Sequence, residues 1–364
     1  MAHAAQDRYS DLVLAKLRAE LVLGDGFVFN NDYEGNPVAG AVKIPTRDSE
    51  TSVSDYNKAS GVSLATGTTT YTTMLIDKDK AVNELIDGYD ADSVPDNLIA
   101  DRLDSAGYSL ARQIDIDGAT TLLAGGTNVN VASLTKSNIY ENIVDIRTAM
   151  SKANVPDDGK RYLLVTPDTF ALILKSPEFI SASDLGDDVK QRGILGKIAG
   201  FLVKEWNDTT ANLAMIAGHP RFAARVHEWS VPIKVQNLDE SGTYIGACAV
   251  QGRRVYGHKV LRATAIRCVY APGALTVTLA ASDSGKTIAT VTAGNTGTTY
   301  AYKKNPASRV AYGTTSTAYA GTSLTSGTTK IAVSEGDVLE IANISDSAVV
   351  AVAYVTVKAA DIGS

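Results

Sequence analysis

Apolar residues in the middle of the chain recur with the spacing of an α-helix. Between Pro95 and Leu123 they are separated by four, three, four and four positions, which places them on one face. These residues are Ile99, Leu103, Ala106, Leu110 and Ile114. The pattern predicts one helix of roughly 40 Å that ends before Gly125-Gly126. A second helix is predicted over about 137–153, before Pro156.

Strands and helices alternate after this pair of helices. The run RYLLV (161–165) is typical of a strand, and Thr166-Pro167 is a favourable helix start because Pro is tolerated at the first helical position. A returning strand is predicted at FLVKEW (201–206), after a short segment (194–200) bounded by glycines. Further β-prone runs lie at 212–218, 231–236, 243–252 and 263–271.

The N-terminal region has a different pattern. Residues 1–23 are a candidate amphipathic helix. Residues 41–76 are rich in Thr and Ser, and the short runs AVKIP and TTTYTTMLI are β-prone. These runs contain too few bulky apolar residues to build a core alone, so an extended hairpin that rests on something else is predicted.

Apolar and polar residues alternate with period two in the last quarter of the chain, which is typical of strands. Alternation occurs at 275–279, 299–302 and 339–341, and the apolar run 347–357 indicates a buried strand. Turn signals such as Ser284-Gly285 and Gly294-Asn295 separate the runs. Together with an abrupt change of composition at Pro272-Gly273, they predict a small immunoglobulin-like sandwich over 272–364.

Charge and cysteine content narrow the function classes. The formal net charge is −6 over 364 residues, so a strongly basic nucleic-acid reader is not expected. The sandwich region is neutral, with six basic and six acidic residues, so the net charge belongs to residues 1–272. Two cysteines cannot form a disulfide framework and fit a reducing compartment. Neither a signal peptide nor an apolar run of about 18 residues is apparent, so no membrane association is predicted.

The sequence contains no recognisable catalytic or ligand-binding motif. Ser284-Gly285-Lys286-Thr287 ends like a phosphate-binding loop, but Ala280 stands where that motif needs a glycine, and β-alternating residues follow the lysine. A hairpin turn is therefore predicted there. The four histidines and two cysteines lack the spacing of a zinc site. No catalytic residue, cofactor or metal ligand is predicted, and the chain is not expected to be an enzyme.

One basic run stands out within residues 251–267. It contains Arg253, Arg254, Lys259, Arg262 and Arg267 with no acidic residue between them. Such a run can contact phosphate or an acidic face of another subunit, or it can be a solvated strand edge. The sequence leaves these alternatives open.

The order of these elements resembles the major capsid protein of tailed double-stranded DNA bacteriophages. The local resemblance is carried by RYLLVTPDTFALILKSPEFI (161–180) and GILGKIAGFLVKEWND (193–208). It covers about residues 1–271, and the remainder resembles immunoglobulin-like domains appended to phage virion proteins.

The resemblance implies an α+β fold with defined segments. Residues 1–34 would be an N-terminal arm and 35–76 an extended loop lying over a neighbouring subunit. The peripheral domain with its spine helix would span 77–155, the axial domain would take most of 156–250, and the chain would return to the peripheral domain over 251–271. The immunoglobulin-like domain, 272–364, would project outward.

The implied function is structural. Copies of the chain would form the hexamers and pentamers of an icosahedral head enclosing double-stranded DNA, assembled in the bacterial cytoplasm. Implied partners are other copies of the chain, a separate scaffolding protein, a portal, a decoration protein and non-specifically contacted DNA. Some family members crosslink subunits through lysine, but Lys43 and Lys58 have no identifiable partner, so no crosslinking is predicted.

Two alternative functions remain at this stage. One is a bacterial encapsulating shell, or nanocompartment, that holds enzymes. The other is a phage or cell-surface binding protein whose C-terminal domain recognises glycans.

Overall fold

The computed structural model describes residues 18, 21–24, 26–33, 40–46, 53–62, 69–93, 98–177, 196–239, 242–292 and 299–363. The chain divides into two compact units. Unit 1 comprises residues 1–125 and 219–263, and unit 2 comprises residues 126–218 and 264–364.

The helices in the described part of the chain are α1 (Gly88–Ser93), α2 (Leu98–Gly125), α3 (Ile139–Lys152), α4 (Pro167–Leu174) and α5 (Ser316–Tyr319). The strands of the first 271 residues are β1 (Ala41–Thr46), β2 (Thr70–Leu75), β3 (Lys78–Asp87), β4 (Thr127–Asn130), β5 (Tyr162–Val165), β6 (Lys197–Ile198), β7 (Phe201–Glu205), β8 (Leu213–Gly218), β9 (Ala223–Asn237), β10 (Ala247–Val260) and β11 (Arg267–Tyr270). The later strands are β12 (Gly273–Ala274), β13 (Val277–Ala281), β14 (Lys286–Val291), β15 (Thr299–Lys304), β16 (Thr322–Leu324), β17 (Lys330–Ala332), β18 (Val338–Ser345) and β19 (Ala348–Thr356).

Unit 1 is built on a three-stranded antiparallel sheet covered by the long helix α2. The strand order is β3-β10-β9, so the central strand pairs with two strands that are remote from each other in sequence. One face of the sheet packs on α2 through Ile86, Ala106 and Val250, all of them buried. Gly252 leaves room on this face, since a Cβ atom there would lie 2.6 Å from the side chain of Ile233 on β9 and 3.3 Å from that of Leu110 on α2.

Strand β9 is irregular where the sequence does not suit a regular ladder. Its register against β10 shifts between Gln251 and Arg253 and again between Val255 and Tyr256. The first shift lies beside Pro232, which has no backbone N–H to donate. Extra residues on one strand of a pair bend it and re-aim its side chains.

The hairpin formed by β1 and β2 takes its burial from outside itself. Its antiparallel register pairs Ala41 with Leu75 and Thr46 with Thr70. Its two buried side chains, Ile44 and Met74, pack against Ala224 and Val226 of β9. The prediction of an antiparallel hairpin without a core of its own is therefore confirmed.

The described residues of the N-terminal segment lie against the helix and sheet of unit 1. Val22, Leu23, Val28 and Phe29 are buried. The amide of Leu23 donates to a carboxylate oxygen of Asp115 on α2, at 3.3 Å. Most of the predicted helix over 1–23 lies outside the described residues.

Unit 2 contains a six-stranded mixed sheet with the order β4-β11-β8-β5-β7-β6. Every residue of β5 and β8 is buried, as expected for central strands covered on both faces. Helix α3 buries Ile139, Ile143, Ile146 and Met150 along one face. Helix α4 begins as predicted, with Thr166 at the N-cap and Pro167 in the first turn.

A buried arginine organises the turn between α3 and β5. Arg161 is 2 % exposed. Its Nε donates to the carbonyl of Pro156 at 2.9 Å and its Nη1 to Oγ of Ser151 at 3.1 Å. Its Nη2 donates to the carbonyl of Val155 at 2.5 Å. Because the guanidinium satisfies two carbonyls of the turn and contacts Ser151 in the last turn of α3, it fixes the entry into β5.

The C-terminal region forms two further sheets, with the orders β12-β19-β18-β15-β16 and β13-β14-β17. Their facing side chains share one core, which includes Ala289 and Ile331 from the smaller sheet and Leu339 and Ile341 from the larger one. This is a two-sheet sandwich. The predicted hairpin turn at Ser284–Thr287 is confirmed, because β13 and β14 pair antiparallel across it.

Several predicted element limits are corrected. The spine helix is described from Leu98 and runs to Gly125 rather than Leu123. The strand predicted over 243–252 begins only at Ala247, and the one predicted over 263–271 begins at Arg267 because Ala263–Ala265 form a 3-10 turn. Strand β3 was not predicted.

The compact units do not follow the predicted domain limits. Residues 77–155 are divided after Gly125, so the spine helix and α3 lie in different units, and residues 156–250 are divided after Gly218. The sandwich belongs to the same unit as the six-stranded sheet. The assignment of segments to an arm, extended loop, peripheral domain and axial domain stays a prediction.

The helices of the described residues include none with the length and apolar character needed to cross a membrane.

Replacing the buried Arg161 tests its role in the turn. R161A removes three donors and leaves buried carbonyls unpaired, so the free energy of unfolding should fall by about 2–4 kcal/mol. Urea denaturation of the unassembled subunit measures this. A matched control is R147A, which removes a half-exposed ion pair with Asp157 and should cost less than about 1 kcal/mol. Equal losses in the two variants would contradict the assignment.

Candidate functional site

Strand β10 carries three of the five basic residues that the sequence singled out. Arg253, Arg254 and Lys259 are all exposed on it. Since successive strand residues point to opposite faces, the first two lie on different sides of the sheet.

Arg253 is engaged with an acidic residue of the neighbouring strand. Its Nε donates to Oδ1 of Asp79 at 2.7 Å, and its Nη2 makes a second, shorter bond to Oδ2. The guanidinium carbon also lies 5.3 Å from the ring centroid of Trp229. The hydrogen bond from Arg253 holds the pKa of the Asp79 carboxyl below its usual value. Arg253 is therefore neutralised within the sheet.

Lys259 lines a cleft of about 420 Å³ at the end of α2. Charges of both signs surround this cleft, since Lys78, Asp77 and Asp117 also line it. Arg254 lies opposite Lys80 in the strand register, and Nζ of Lys80 is 3.9 Å from Oδ2 of Asp117. Within the residues that the structure describes, Arg254 and Lys259 have no carboxylate partner at ion-pair distance.

The other two basic residues lie elsewhere. The guanidinium of Arg262, in unit 1, is 6.0 Å from the ring centroid of Phe222. Arg267 is on β11 in unit 2 and is only partly exposed, with Ala217 and Thr127 opposite it in the register. The run that is continuous in sequence is thus divided between two units. Its role in contacting subunits or phosphate stays a prediction.

A buried polar cluster joins α2 to the sheet of unit 1. The Tyr256 hydroxyl donates to Oδ2 of Asp117 at 2.8 Å. The pKa of this tyrosine is raised, mainly by burial and further by the hydrogen bond to Asp117. Arg225, which is 4 % exposed, donates from Nε to Nε2 of His258 at 2.8 Å and lies 4.5 Å from the Phe29 ring centroid.

This cluster lies where the N-terminal segment is fastened to the sheet. Asn30 donates its amide to the carbonyl of Ala223 at 2.7 Å and accepts from the amide of Arg225 at 2.9 Å. Gly118 allows the Phe29 ring to pack closely against α2, since a Cβ atom at this position would lie 3.0 Å from the ring. The sequence assigned no role to His258, which is one of the four histidines without zinc-site spacing, and did not reveal its partners.

No three His, Cys, Asp or Glu side chains of the described residues converge into a group that could hold a metal ion.

The hairpin region presents a second candidate surface, which is apolar. Four large side chains between residues 53 and 75 are more than half exposed. They are Val53 at 97 %, Tyr56 at 74 %, Tyr71 at 63 % and Leu75 at 58 %. Exposed apolar side chains concentrated in one segment are typical of a surface that another molecule covers.

The Arg253–Asp79 pair makes a prediction about pH. Because the folded pKa of Asp79 lies below its unfolded value of about 3.9, the pair stabilises the fold above that pH and is lost as pH falls through the folded pKa. R253A should therefore return the pKa of Asp79 toward its usual value, measured by carboxyl ¹³C NMR of the unassembled subunit. K259A serves as the control and should leave that pKa unchanged. An unchanged pKa in R253A would contradict the pairing.

Comparison with protein-family models matches residues 88–269 to a family described as phage capsid protein. A search of curated protein sequences finds no match.

Solved structures are similar over most of the chain. One from Mycobacterium phage Che8 has a TM-score of 0.62 and 25 % identity, covering 73 % of this chain and 96 % of its own. The capsid structure of cyanophage P-SCSP1u also has a TM-score of 0.62, with 15 % identity, and covers 73 % and 92 %. The mature capsid of bacteriophage PhiM1 has a TM-score of 0.57 and 14 % identity, and covers 74 % and 92 %.

The family match spans half of the chain, and the folds agree with those of capsid structures. The predicted resemblance and the α+β fold class are confirmed, and so are the structural, non-enzymatic function and the place in the virion. The immunoglobulin-like character of the sandwich stays a prediction. The chain belongs to the phage capsid protein family.

Proposed function

We propose that many copies of this chain form the hexamers and pentamers of an icosahedral head that encloses double-stranded DNA. The observation that carries the proposal is the exposed hairpin region. Among its described residues (40–46, 53–62 and 69–76), the buried side chains are Ile44 and Met74, while Tyr56 and Tyr71 are mostly exposed. A hairpin of this kind gains stability when a second copy covers it, because burial of apolar surface is favourable at about 25 cal/mol per Å².

DNA contact in this proposal is local and non-specific. Arg254 and Lys259 supply it, since Arg253 is already paired with Asp79 and Arg267 is partly buried. Backbone contact of this kind requires cationic side chains but no overall positive charge, and its strength falls as salt is raised.

The proposal includes partners beyond the chain itself. A separate scaffolding protein would set the size of the shell, a portal would occupy one vertex, and a decoration protein would bind outside, with assembly in the bacterial cytoplasm. Lys43 and Lys58 would remain uncrosslinked. The sandwich would be an immunoglobulin-like domain that projects outward. It is supported as an addition to the shell-forming part by the family match, which ends at residue 269.

Electron microscopy and light scattering of the expressed protein, alone and with a scaffolding protein, test the proposal directly. Closed particles tens of nanometres across, holding nuclease-protected DNA when formed during infection, are expected. A stable small oligomer under every condition would overturn the proposal. Uniform, correctly sized shells from the isolated chain would contradict only the scaffold requirement. A ladder of covalent multimers on denaturing gels would contradict the absence of crosslinking.

Removing the exposed aromatic rings of the hairpin region should prevent assembly without unfolding the subunit. In Y56S/Y71S the yield of closed shells should fall at least tenfold, because an interface tyrosine contributes about 2 kcal/mol or more. Sedimentation measures the yield and circular dichroism checks the fold. The matched control Y56F/Y71F keeps the apolar area and should still assemble. Normal shells from the serine variant would exclude this segment as a contact.

Neutralising Arg254 and Lys259, which have no carboxylate partner among the described residues, tests the DNA contact. R254Q/K259Q should lower the slope of log affinity against log salt by about 2 for a short DNA duplex, since each phosphate contact contributes about one unit. Fluorescence anisotropy with unassembled subunits measures this slope. K136Q/K152Q, which removes two exposed lysines of unit 2, is the control. An unchanged slope with impaired assembly would instead indicate contact with an acidic face of another subunit.

A further inference from the structure

The sandwich follows the six-stranded sheet without a free linker. Strand β11 ends at Tyr270 and β12 begins at Gly273, so only Ala271 and Pro272 separate them. The amide of Ala271 donates to the carbonyl of Asn212 at 3.0 Å. The next residue is Pro272, whose ring restricts its own φ. The connection is therefore short and held in place.

A second connection is made far along the chain, by the loop of residues 305–315. Val131, just after β4, is its junction. Its amide donates to the carbonyl of Tyr270 at 2.9 Å, and its carbonyl accepts from the amide of Tyr312 at 3.0 Å. The next residue, Ala132, forms an antiparallel bridge with Ala311. The segment that pairs with β11 through β4 therefore continues by pairing with the loop at residues 131–132.

Side chains reinforce this junction. The rings of Tyr270 and Tyr312 stack with centroids 5.7 Å apart and an interplanar angle of 21°. Nη1 of Arg309 donates to Oγ of Ser133 at 3.0 Å. Gly313 has φ +72°, and a Cβ there would lie 2.8 Å from Nδ2 of Asn130, so only glycine fits without displacement.

The same loop is also fastened to the sandwich. The amide of Val310 donates to Oε2 of Glu340 at 3.2 Å and to the hydroxyl of Tyr354 at 3.0 Å. Glu340 is 1 % exposed, and the Arg309 guanidinium lies 4.5 Å from the Tyr354 ring centroid. The amide of Gly313 donates to the carbonyl of Val349 at 2.9 Å. The loop is held on both sides by buried or half-buried groups.

We propose that the loop of residues 305–315 is a clamp that fixes the sandwich to the six-stranded sheet. Its binding surface is the segment 130–133 of the same chain together with Tyr270. The sandwich is then an integral part of the subunit with one orientation, rather than a module on a flexible tether. This inference does not depend on whether the subunits form a DNA-filled head, and its test uses subunits and shells alike.

A designed disulfide tests whether the clamp is closed in solution. Ala132 and Ala311 face each other as a non-hydrogen-bonded pair, because Tyr312 donates to Val131, and such pairs bring Cβ atoms within disulfide reach. In a C248A background, A132C/A311C should oxidise to an intramolecular disulfide, seen by intact mass and peptide mapping. Particle formation should be unchanged. A132C/A359C places the second thiol in the turn beside β13 and should not crosslink.

Hydrogen exchange with Y312A provides a second measurement on the full chain. Exchange in the peptide covering 305–315 should accelerate about tenfold or more, because the junction loses its stacked ring. Exchange in the peptide covering β18 should stay slow, which shows that the sandwich itself remains folded. Y89A, at an 81 % exposed tyrosine of α1, is the control and should change neither peptide.

Three results would overturn the clamp. They are an A132C/A311C pair that crosslinks no more than the control pair, a disulfide that blocks particle formation, and unchanged exchange of the loop in Y312A.

Discussion

The antiparallel pairing of β10 with both β3 and β9 is the constraint on which unit 1 depends. Strand β10 supplies one face to α2 and the other to solvent, and it brings together segments separated by more than a hundred residues. Val250 is buried on the side of the sheet that faces the helix, while Arg253 on the other side pairs with Asp79 of β3. The hairpin rests on the first residues of β9, so its position is also set by this sheet. Loss of register along β10 would displace the helix contacts, the exposed cations and the hairpin together.

The parts of the fold with a strong local pattern could be predicted from the sequence. Apolar residues at helical spacing predicted helix α2. An apolar run before a Thr-Pro helix start predicted strand β5. Strand β3 was missed although the residues at its start, Asp77-Lys78-Asp79-Lys80, of which the last three belong to the strand, alternate in charge with period two. The alternation is electrostatic rather than apolar, because Lys80 and Glu84 turn toward Asp117 and Arg102 of α2. A strand with this charge alternation cannot be detected from the pattern of hydrophobic positions alone.

The site was harder to predict than the fold for a related reason. A run of basic residues without an intervening acid looks uncompensated in sequence, yet strand pairing places Asp79 beside Arg253. The compensating charge is 174 positions away, and only the register of β3 against β10 reveals it. The separation of Arg267 into unit 2 is equally invisible, because the chain passes between compact units over 263–264. The exposure of Tyr56 and Tyr71 is easier to understand from the sequence. Their segment has strand propensity but too few bulky apolar residues to bury them in a core of its own.

The clamp at Val131 has a consequence for how the sandwich meets other molecules. A sandwich held in one orientation and repeated once per subunit on a closed shell becomes a regularly spaced array. In such an array a single sandwich needs only weak affinity for a surface, because neighbouring copies raise the effective concentration of the next contact. A flexible tether would spread the same contacts over many geometries. If the sandwich projects outward, as proposed, the contacts of the 305–315 loop would thus favour avidity over isolated contacts.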